Sequence, residues 1–482
     1  MDLMEKIVSL CKRRGFVFQS SEIYGGFGSC YDFGPQGVEL KNNIKKLWWK
    51  NIVQDREDVV GLDSAILMSS RVWQASGHLS TGFADEMVEC QSCHSRFRKD
   101  QLKIFNFQFP ISNQIPNSKF QKSKCLECGG KLSAPRKFNL MMKTFVGPVE
   151  DSANVAYLRA ETCQGIYVNF QNVLQSQRMK IPFGIGQQGK AFRNEITPGN
   201  FIFRTREFEQ MEMQYFIKSK VKSQKSKVIL KNDQELGIEG QNLNAINKDE
   251  WSNKEWFVYW ANERMNWYLN LGIKKENLRF YKHKKDELAH YAKQGVDIEY
   301  KFPFGWQEVE GIHDRGDWDL SNHTKHSGRD LSYFDEKEKK KFIPNIIETS
   351  AGADRASLVF LLDAYCEEKV KGEARVVLKI NKKLAPVKVA ILPLARNQKK
   401  IIDLARKISN DLNKNFTCLY DDSGSIGRLY RRQDEVGTPY CLTVDFDSLE
   451  DKKVTVRDRD TMAQERIEIS KLKEILIMKL NF

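Results

Sequence analysis

An α+β chain with a separate α/β domain at its C-terminal end is what the sequence predicts, on three observations. Residues 192–216 carry a β-hairpin signature, in which Pro198 and Gly199 separate two runs rich in apolar residues. From Pro386 onward, short apolar β-like runs alternate with helical spacing, as an α/β unit requires. A length of 482 residues is also too great for one core, which sets roughly two to four domains.

Composition narrows the class. Hydrophobic residues make up 41% and charged residues 29%, the ordinary balance of a soluble globular protein. No apolar run approaches the roughly 20 residues that span a bilayer, and the first residues, Met1 to Lys6, lack a basic segment followed by an apolar one. The expected location is therefore the cytosol, with no membrane partner. Ten cysteines agree: four fall in Cys-x-x-Cys pairs, and the others lie among apolar neighbours as reduced thiols would. The formal net charge of +14 favours a polyanionic partner, although a lysine-rich proteome produces the same number.

Taken in order, residues 1–14 read as a helix that Gly15 ends. A glycine cluster from Gly25 to Gly34 follows, but no lysine with a Ser or Thr comes after it, so it makes a poor phosphate loop. A helix is expected at about 38–53, where Trp48 and Trp49 fit an interface or a core. Residues 85–145 form an insertion with Cys90, Cys93, Cys125 and Cys128, a ligand set for one tetrahedral structural zinc or four reduced, metal-free thiols. Residues 184–191 satisfy a GxGxxG pattern, yet Ala191 offers no hydroxyl to magnesium, so the stretch is expected to be a turn feeding the next strand. Residues 217–250 are polar and Lys/Asn/Gln-rich, a flexible second insertion. Helical spacing returns at 255–271, with Trp256, Trp260 and Trp267 as core. Beyond residue 385, strands are expected at 386–394, 416–420, 441–446 and 454–459, with a helix at 399–413.

The hairpin is unusual in its charge: Arg193, Arg204 and Arg206 accompany Glu195, Glu207, Glu209 and Glu212. Solvated ion pairs on an outer face are one account. Arginines that grip phosphate oxygens, beside carboxylates that hold an ammonium or magnesium ion, are the other. Here the order of residues becomes specific. Phe192-Arg193-Asn194-Glu195, a loop, and then Phe203-Arg204-Thr205-Arg206-Glu207-Phe208 resembles motif 2 of the class II aminoacyl-tRNA synthetases. The string from Arg206 through Glu209, Gln210 and Met211 to Glu212 is similar to its glycyl-tRNA synthetase version, of the dimeric single-chain type, and the likeness covers nearly the whole chain.

That resemblance implies a class II antiparallel sheet flanked by helices over residues 1–375, a class IIa anticodon-binding domain over 385–482, and a homodimer to which the helix after Pro35 contributes. It implies activation of glycine by ATP with Mg2+ to glycyl-adenylate, then transfer to the 3′ end of tRNA(Gly). By it, Arg193, Glu195 and Arg355 are the catalytic residues. ATP is expected against Arg193, Asn194, Glu195, Phe203, Arg204, Thr205, Arg206, Glu207, Phe208, Glu308, Val309, Gly352, Ala353, Asp354 and Arg355, with Glu308 also on magnesium. Glycine is expected among Arg98, Glu161, Phe208, Glu209, Gln210, Met211, Glu212, Glu348 and Ser350.

The residues themselves bear on several of these roles. Glu308 and Glu310 stand at i and i+2, which on a regular strand turns both to one pocket. Glu161 precedes a helix, where the dipole alone would stabilise it. An arginine at the start of the apolar helix that follows Asp354 works against that dipole, so Arg355 serves another end. Ala160 and Thr349 replace prolines usual in the family. Arg428, Arg431 and Arg432 can meet RNA phosphates or simply be solvated. Alternative readings are a class IIa synthetase for another amino acid and a non-catalytic synthetase-like subunit that binds tRNA or a polymerase.

Overall fold

The computed structural model describes residues 2–80, 83–99, 124–151, 154–219, 253–289, 291–370 and 372–480, and the backbone of 228–230 and 236–238. Most of the second expected insertion, and residues 100–123 of the first, lie outside the described residues.

Helix α1 (Leu3–Arg14) starts at Asp2, whose side chain forms a capping box with Glu5, and stops at Gly15 with φ 73°, where a residue without Cβ is unstrained. Helix α2 (Pro35–Trp49) has proline at its first position. Trp48 is fully buried, so of its two expected roles the structure assigns it to the core.

The central sheet has seven strands: β1 (Val59–Leu62), β2 (Phe183–Phe192), β3 (Glu207–Ile217), β4 (Leu278–Lys282), β5 (Gln294–Phe302), β6 (Gly305–Gly316) and β7 (Asn345–Gly352). Their order is β4-β5-β6-β7-β3-β2-β1, antiparallel except for the β1–β2 edge. Alternation along these strands gives the sheet two unlike faces. Met211, Met213 and Tyr215 of β3, with Ile347 and Ala351 of β7, join one core together with α2, α4 (Asn253–Asn270) and α6 (Ala353–Ala364). The intervening residues Gln210, Glu212, Gln214, Glu348 and Ser350 look the other way, under the short helix α3 (Cys163–Val168) and α5 (Trp318–Ser327). A polar sheet face covered by other structure is where a site has room to form.

The first correction concerns residues 184–191, which lie within the ten-residue strand β2 and form no turn. Their glycines answer to packing: a Cβ at Gly186 would stand 2.9 Å from Val53, and one at Gly189 2.2 Å from the Arg159 guanidinium. The segment 193–206 between β2 and β3 is a long loop with a single turn at Phe201–Phe203, so β3 begins later than the hairpin pattern suggests.

The second correction concerns Glu308 and Glu310. Glu299 pairs with Glu308 but Ile298 pairs with Glu310, which leaves Val309 as the extra residue of a β-bulge. The bulge cancels the period of two. Glu308 turns toward Arg355, 3.3 Å away, whereas Glu310 turns into the helical layer and accepts from Arg264 Nε of α4 at 2.6 Å.

The C-terminal sheet contains β8 (Val389–Pro393), β9 (Cys418–Tyr420), β10 (Tyr440–Val444), β11 (Lys453–Asp458) and β12 (Gln464–Glu468) in the order β9-β8-β10-β11-β12, parallel among the first three. Helices α7 (Lys399–Leu412) and α9 (Leu472–Leu480) cover one face; α8 (Ile426–Val436) covers the other. Asp434 of α8 accepts from Arg375 Nε at 2.8 Å and from Arg457 Nη1 at 2.9 Å, tying this sheet to the hairpin that follows α6.

Arg264 and Glu310 are both wholly inaccessible, and removing one partner of such a pair strands a buried charge. Glu310→Ala is expected to cost about 3–5 kcal/mol, seen as an earlier unfolding transition; an unchanged transition temperature would contradict that role.

Candidate active site

A cavity of about 280 Å³ opens where β3, β6 and β7 meet the 193–206 loop and the start of α6, and Arg193, Glu195, Phe203, Arg204, Thr205, Phe208, Gln210, Glu308, Ser350, Gly352, Asp354 and Arg355 are among its walls. Each arginine is aimed by its surroundings. Arg193, just past β2, donates from Nε to Ala160 O at 3.1 Å and lies over the Phe208 and Phe83 rings at 5.3 and 5.7 Å. Arg355, in the first turn of α6, lies 4.4 Å over the Phe203 ring and donates from Nη1 to Glu308 O at 2.8 Å. Glu195 accepts from Arg204 Nε at 2.8 Å, which fixes the loop between them. Two flat guanidinium groups thus share one cavity with the Glu308 carboxylate, an arrangement suited to a polyphosphate and a hard cation. The surrounding protein partly desolvates the half-exposed Glu308 carboxylate and works against its ionisation, but Arg355, His313 and Arg193 outweigh this and hold its carboxyl below the ordinary value.

Beside this cavity lies an acidic pocket. Cys163, Glu212 and Glu348 bring one ligand atom each within 4.8 Å of one another, and Glu161 accepts from Cys163 Sγ at 3.0 Å. The three carboxylates are buried but differently compensated. Glu348 accepts from Arg315 Nη1 at 2.8 Å. Glu161 faces His78 Nε2 at 3.4 Å and accepts from Gln164 Nε2 at 3.0 Å. Burial opposes its ionisation, yet His78 and then Arg315 hold its carboxyl well below the ordinary range. Glu212 accepts only from neutral donors among the described residues: Thr162 Oγ1, Gln210 Nε2 at 3.1 Å and Ser350 Oγ at 2.7 Å. Burial, with the like charges of Glu348 and Glu161, raises its carboxyl to about 7. Gln210 and Ser350 also line the cavity, so the cationic and acidic halves are continuous.

Of the residues expected here, Arg193, Glu195, Phe203, Arg204, Thr205, Phe208, Gln210, Glu308, Ser350, Gly352, Asp354 and Arg355 meet at the cavity, and Glu161, Glu212 and Glu348 at the pocket beside it. Others are placed elsewhere. Glu209 and Met211 alternate away from the site: Glu209 pairs with Lys45 and, at 3.4 Å, Lys41, while Met211 joins the core. Val309 and Ala353 are core residues as well. Arg206 donates to Gly28 O at 2.7 Å, Glu207 pairs with Lys190 at 2.5 Å, and the Asn194 amide donates to Leu140 O at 2.8 Å, so all three brace the loop. Arg98 pairs with Asp85 at 3.1 Å within a three-stranded sheet, outside the cavity walls.

Sequence reasoning missed His78, Arg315 and Lys41. Arg315 lies near the end of β6 and Asp319 in the first turn of α5, so their 2.7 Å ion pair comes from the strand-to-helix junction and not from helical spacing. His78 has no local signature; only the fold brings it to Glu161.

The four cysteines of the insertion gather, with Cys90 Sγ 3.5 Å from Cys128 Sγ and Cys93 Sγ 3.6 Å from Cys125 Sγ. Backbone amides of Ser92, Glu127 and Gly130 point at sulfurs at 3.4 Å. No helix among the described residues is long and apolar enough to cross a membrane.

Comparisons with known proteins agree with this geometry. Residues 148–380 match the family described as tRNA synthetase class II core domain (G, H, P, S and T), and residues 388–479 match the anticodon binding domain. The chain is 49% identical over 490 residues to the glycine–tRNA ligase of Thermobifida fusca, covering 99% of this chain and 98% of that one. It is 51% identical over 490 residues to that of Caldanaerobacter subterraneus subsp. tengcongensis and 52% identical over 491 residues to that of Acetivibrio thermocellus, each time across 99% of both chains. The chain belongs to the glycine–tRNA ligases of the single-chain type, with a class II synthetase core followed by an anticodon-binding domain.

Proposed function

We propose that the cavity and the acidic pocket together activate glycine and pass it to tRNA(Gly). The glycine carboxylate oxygen attacks the α-phosphorus of ATP, the bond to the β,γ-phosphates breaks, and pyrophosphate leaves. A hydroxyl at the tRNA 3′ end then attacks the glycyl carbonyl and AMP departs. The first nucleophile is already ionised, so no general base is needed; the chain's task is to align the reactants and neutralise charge growing on phosphate oxygens. Arg193 takes the α-phosphate and Arg355 the γ-phosphate. Phe208 and Arg355 flank the adenine, and Glu308 holds the magnesium ion that accompanies ATP. Glu161, Glu212, Glu348 and Ser350 receive the glycine ammonium. The observation that carries this reading is the adjoining of two guanidinium groups to a buried carboxylate whose hydrogen-bond donors, among the described residues, are all neutral. An α-substituent would point into these walls, and steric exclusion can exceed the ~1–3 kcal/mol available from one methylene.

The assembly belongs to the same proposal: a homodimer, residues 1–375 for the chemistry and 385–482 for the anticodon. On α8, Arg432 pairs with Asp421 at 3.1 Å and Arg431 lies 3.9 Å from Glu373, so RNA phosphates would have to displace these carboxylates to engage the two arginines. The cysteine cluster fits a structural zinc ion: Zn–S bonds of about 2.3 Å in a tetrahedron require S···S separations of roughly 3.8 Å, close to those found. All four positions being thiolates, the ion would fix the insertion and take no part in the chemistry.

Three outcomes test the proposal. Arg193→Ala should lower glycine-dependent pyrophosphate exchange by about 10²–10³ with the unfolding transition unchanged; near-normal exchange removes Arg193 from the mechanism. Because the Glu212 carboxyl is raised to about 7 and only its ionised form pairs with an ammonium, glycine binding weakens as pH falls through that value. The KM for glycine should climb about tenfold per pH unit below it, and Glu212→Gln should flatten the profile. A KM constant from about pH 6 to 8 contradicts that role. Elemental analysis should find one zinc per chain, lost in Cys125→Ser; a content far below one equivalent rules out the four-thiolate site.

A further inference from the structure

Strands β4 to β6 carry a second cluster on the face of the sheet that holds the acidic pocket. His283 follows β4, and its amide donates to Gly295 O at 3.0 Å. Asp297 lies on β5 and His313 on β6, and each faces a glycine across the ladder: Asp297 opposite Gly311, and His313 opposite Gly295. One ligand atom from each of the three side chains lies within 4.8 Å of the others. His283 Nε2 is 2.8 Å from Asp297 Oδ2, and the two imidazole rings stand 5.4 Å apart at 71°.

Both glycines are needed for this arrangement. A Cβ at Gly295 would come within 2.8 Å of His313 Cδ2 and 3.1 Å of His283 Nδ1; one at Gly311 would come within 2.8 Å of His313 Cε1 and 3.5 Å of Asp297 Oδ1. Any side chain at either position would fill the space the three donors enclose. A histidine–aspartate hydrogen bond accounts for His283 and Asp297 but not for His313. Its Nδ1 is buried without a hydrogen-bond partner among the described residues, and its nearest acidic oxygen, Glu348 Oε2, is 3.8 Å away. Glu308 and Glu299 act electrostatically on Asp297, and Arg315 acts on His313, so charges of both signs border the three donors.

We infer that His283, Asp297 and His313 form a site for one divalent transition-metal ion, separate from the four cysteines. Two imidazoles and one carboxylate suit zinc, cobalt(II) or nickel(II), and leave positions for water; magnesium and calcium prefer all-oxygen sites. The side chains are only partly buried, with 13–17% exposure, so an ion can reach them. Since His313 stands beside Glu348, an ion here would fix the ring that borders the acidic pocket. The inference does not depend on how that pocket binds glycine.

The test is a cobalt(II) titration at micromolar concentration, followed by visible d–d absorption and calorimetry. It is run on the full-length chain already holding one zinc equivalent and on a Cys90→Ser/Cys93→Ser variant. Both should bind one cobalt(II) with the weak absorption of nitrogen and oxygen ligands, without the intense thiolate charge-transfer bands. His283→Gln and Asp297→Asn should each weaken that binding at least tenfold while thermal unfolding stays as in the parent. No cobalt(II) bound by the parent at these concentrations, or equal binding by both variants, overturns the inference.

Discussion

A buried carboxylate whose hydrogen-bond donors among the described residues are all neutral is the constraint around which the site is built. Glu348 has the Arg315 guanidinium, and Glu161 faces the His78 imidazole; Glu212 has Thr162, Gln210 and Ser350, which satisfy its oxygens without neutralising its charge. Burying an uncompensated charge is costly, and burial together with the like charges of Glu348 and Glu161 raises the Glu212 carboxyl toward neutrality. In the proposed reaction the glycine ammonium supplies the missing charge. A substrate whose cation completes a pocket is recognised by that cation's position, and carboxylates close around an α-carbon leave no space for a side chain.

The rest of the fold keeps this pocket in place. The alternation of β3 and β7 sends methionines and isoleucines into the helical layer and glutamates to the opposite face. A single bulge at Val309 separates two glutamates that a regular strand would have kept together. One of them joins Arg355 at the cavity, and the other anchors α4 through Arg264. Lys41 and Lys45 of α2 neutralise Glu209 on the far side, while Lys41 and the Glu209 amide hold Asp354 at the start of α6. Arg355 is thereby positioned by a helix that itself bonds to the neighbouring strand.

Much of this was legible in the residues. The arginine and glutamate pattern of 193–212 and the paired cysteines each name a chemistry and a place; the small residues before α6, in contrast, read as a turn but form the end of β7, which runs straight into the helix. The helices at 3–14, 253–270 and 399–412 follow from helical spacing, the first also from the glycine that ends it. What the residues concealed were effects of the third dimension. Glu209 and Met211 sit within a matching string, yet strand alternation turns them to the core. The bulge at Val309 has no mark in composition. His78 reaches Glu161 only because the segment after the helix at Ser70–Ala75 folds over the pocket. The glycines of β2 look like a loop until Arg159 and Val53 are seen against them.

A crystal structure with a non-hydrolysable glycyl-adenylate analogue tests the central claim most directly. The account predicts the analogue's ammonium within hydrogen-bonding distance of Glu212, with Glu161 and Glu348 beside it and the α-phosphate mimic on Arg193. An ammonium seated away from Glu212, or a phosphate mimic out of reach of Arg193, would contradict it.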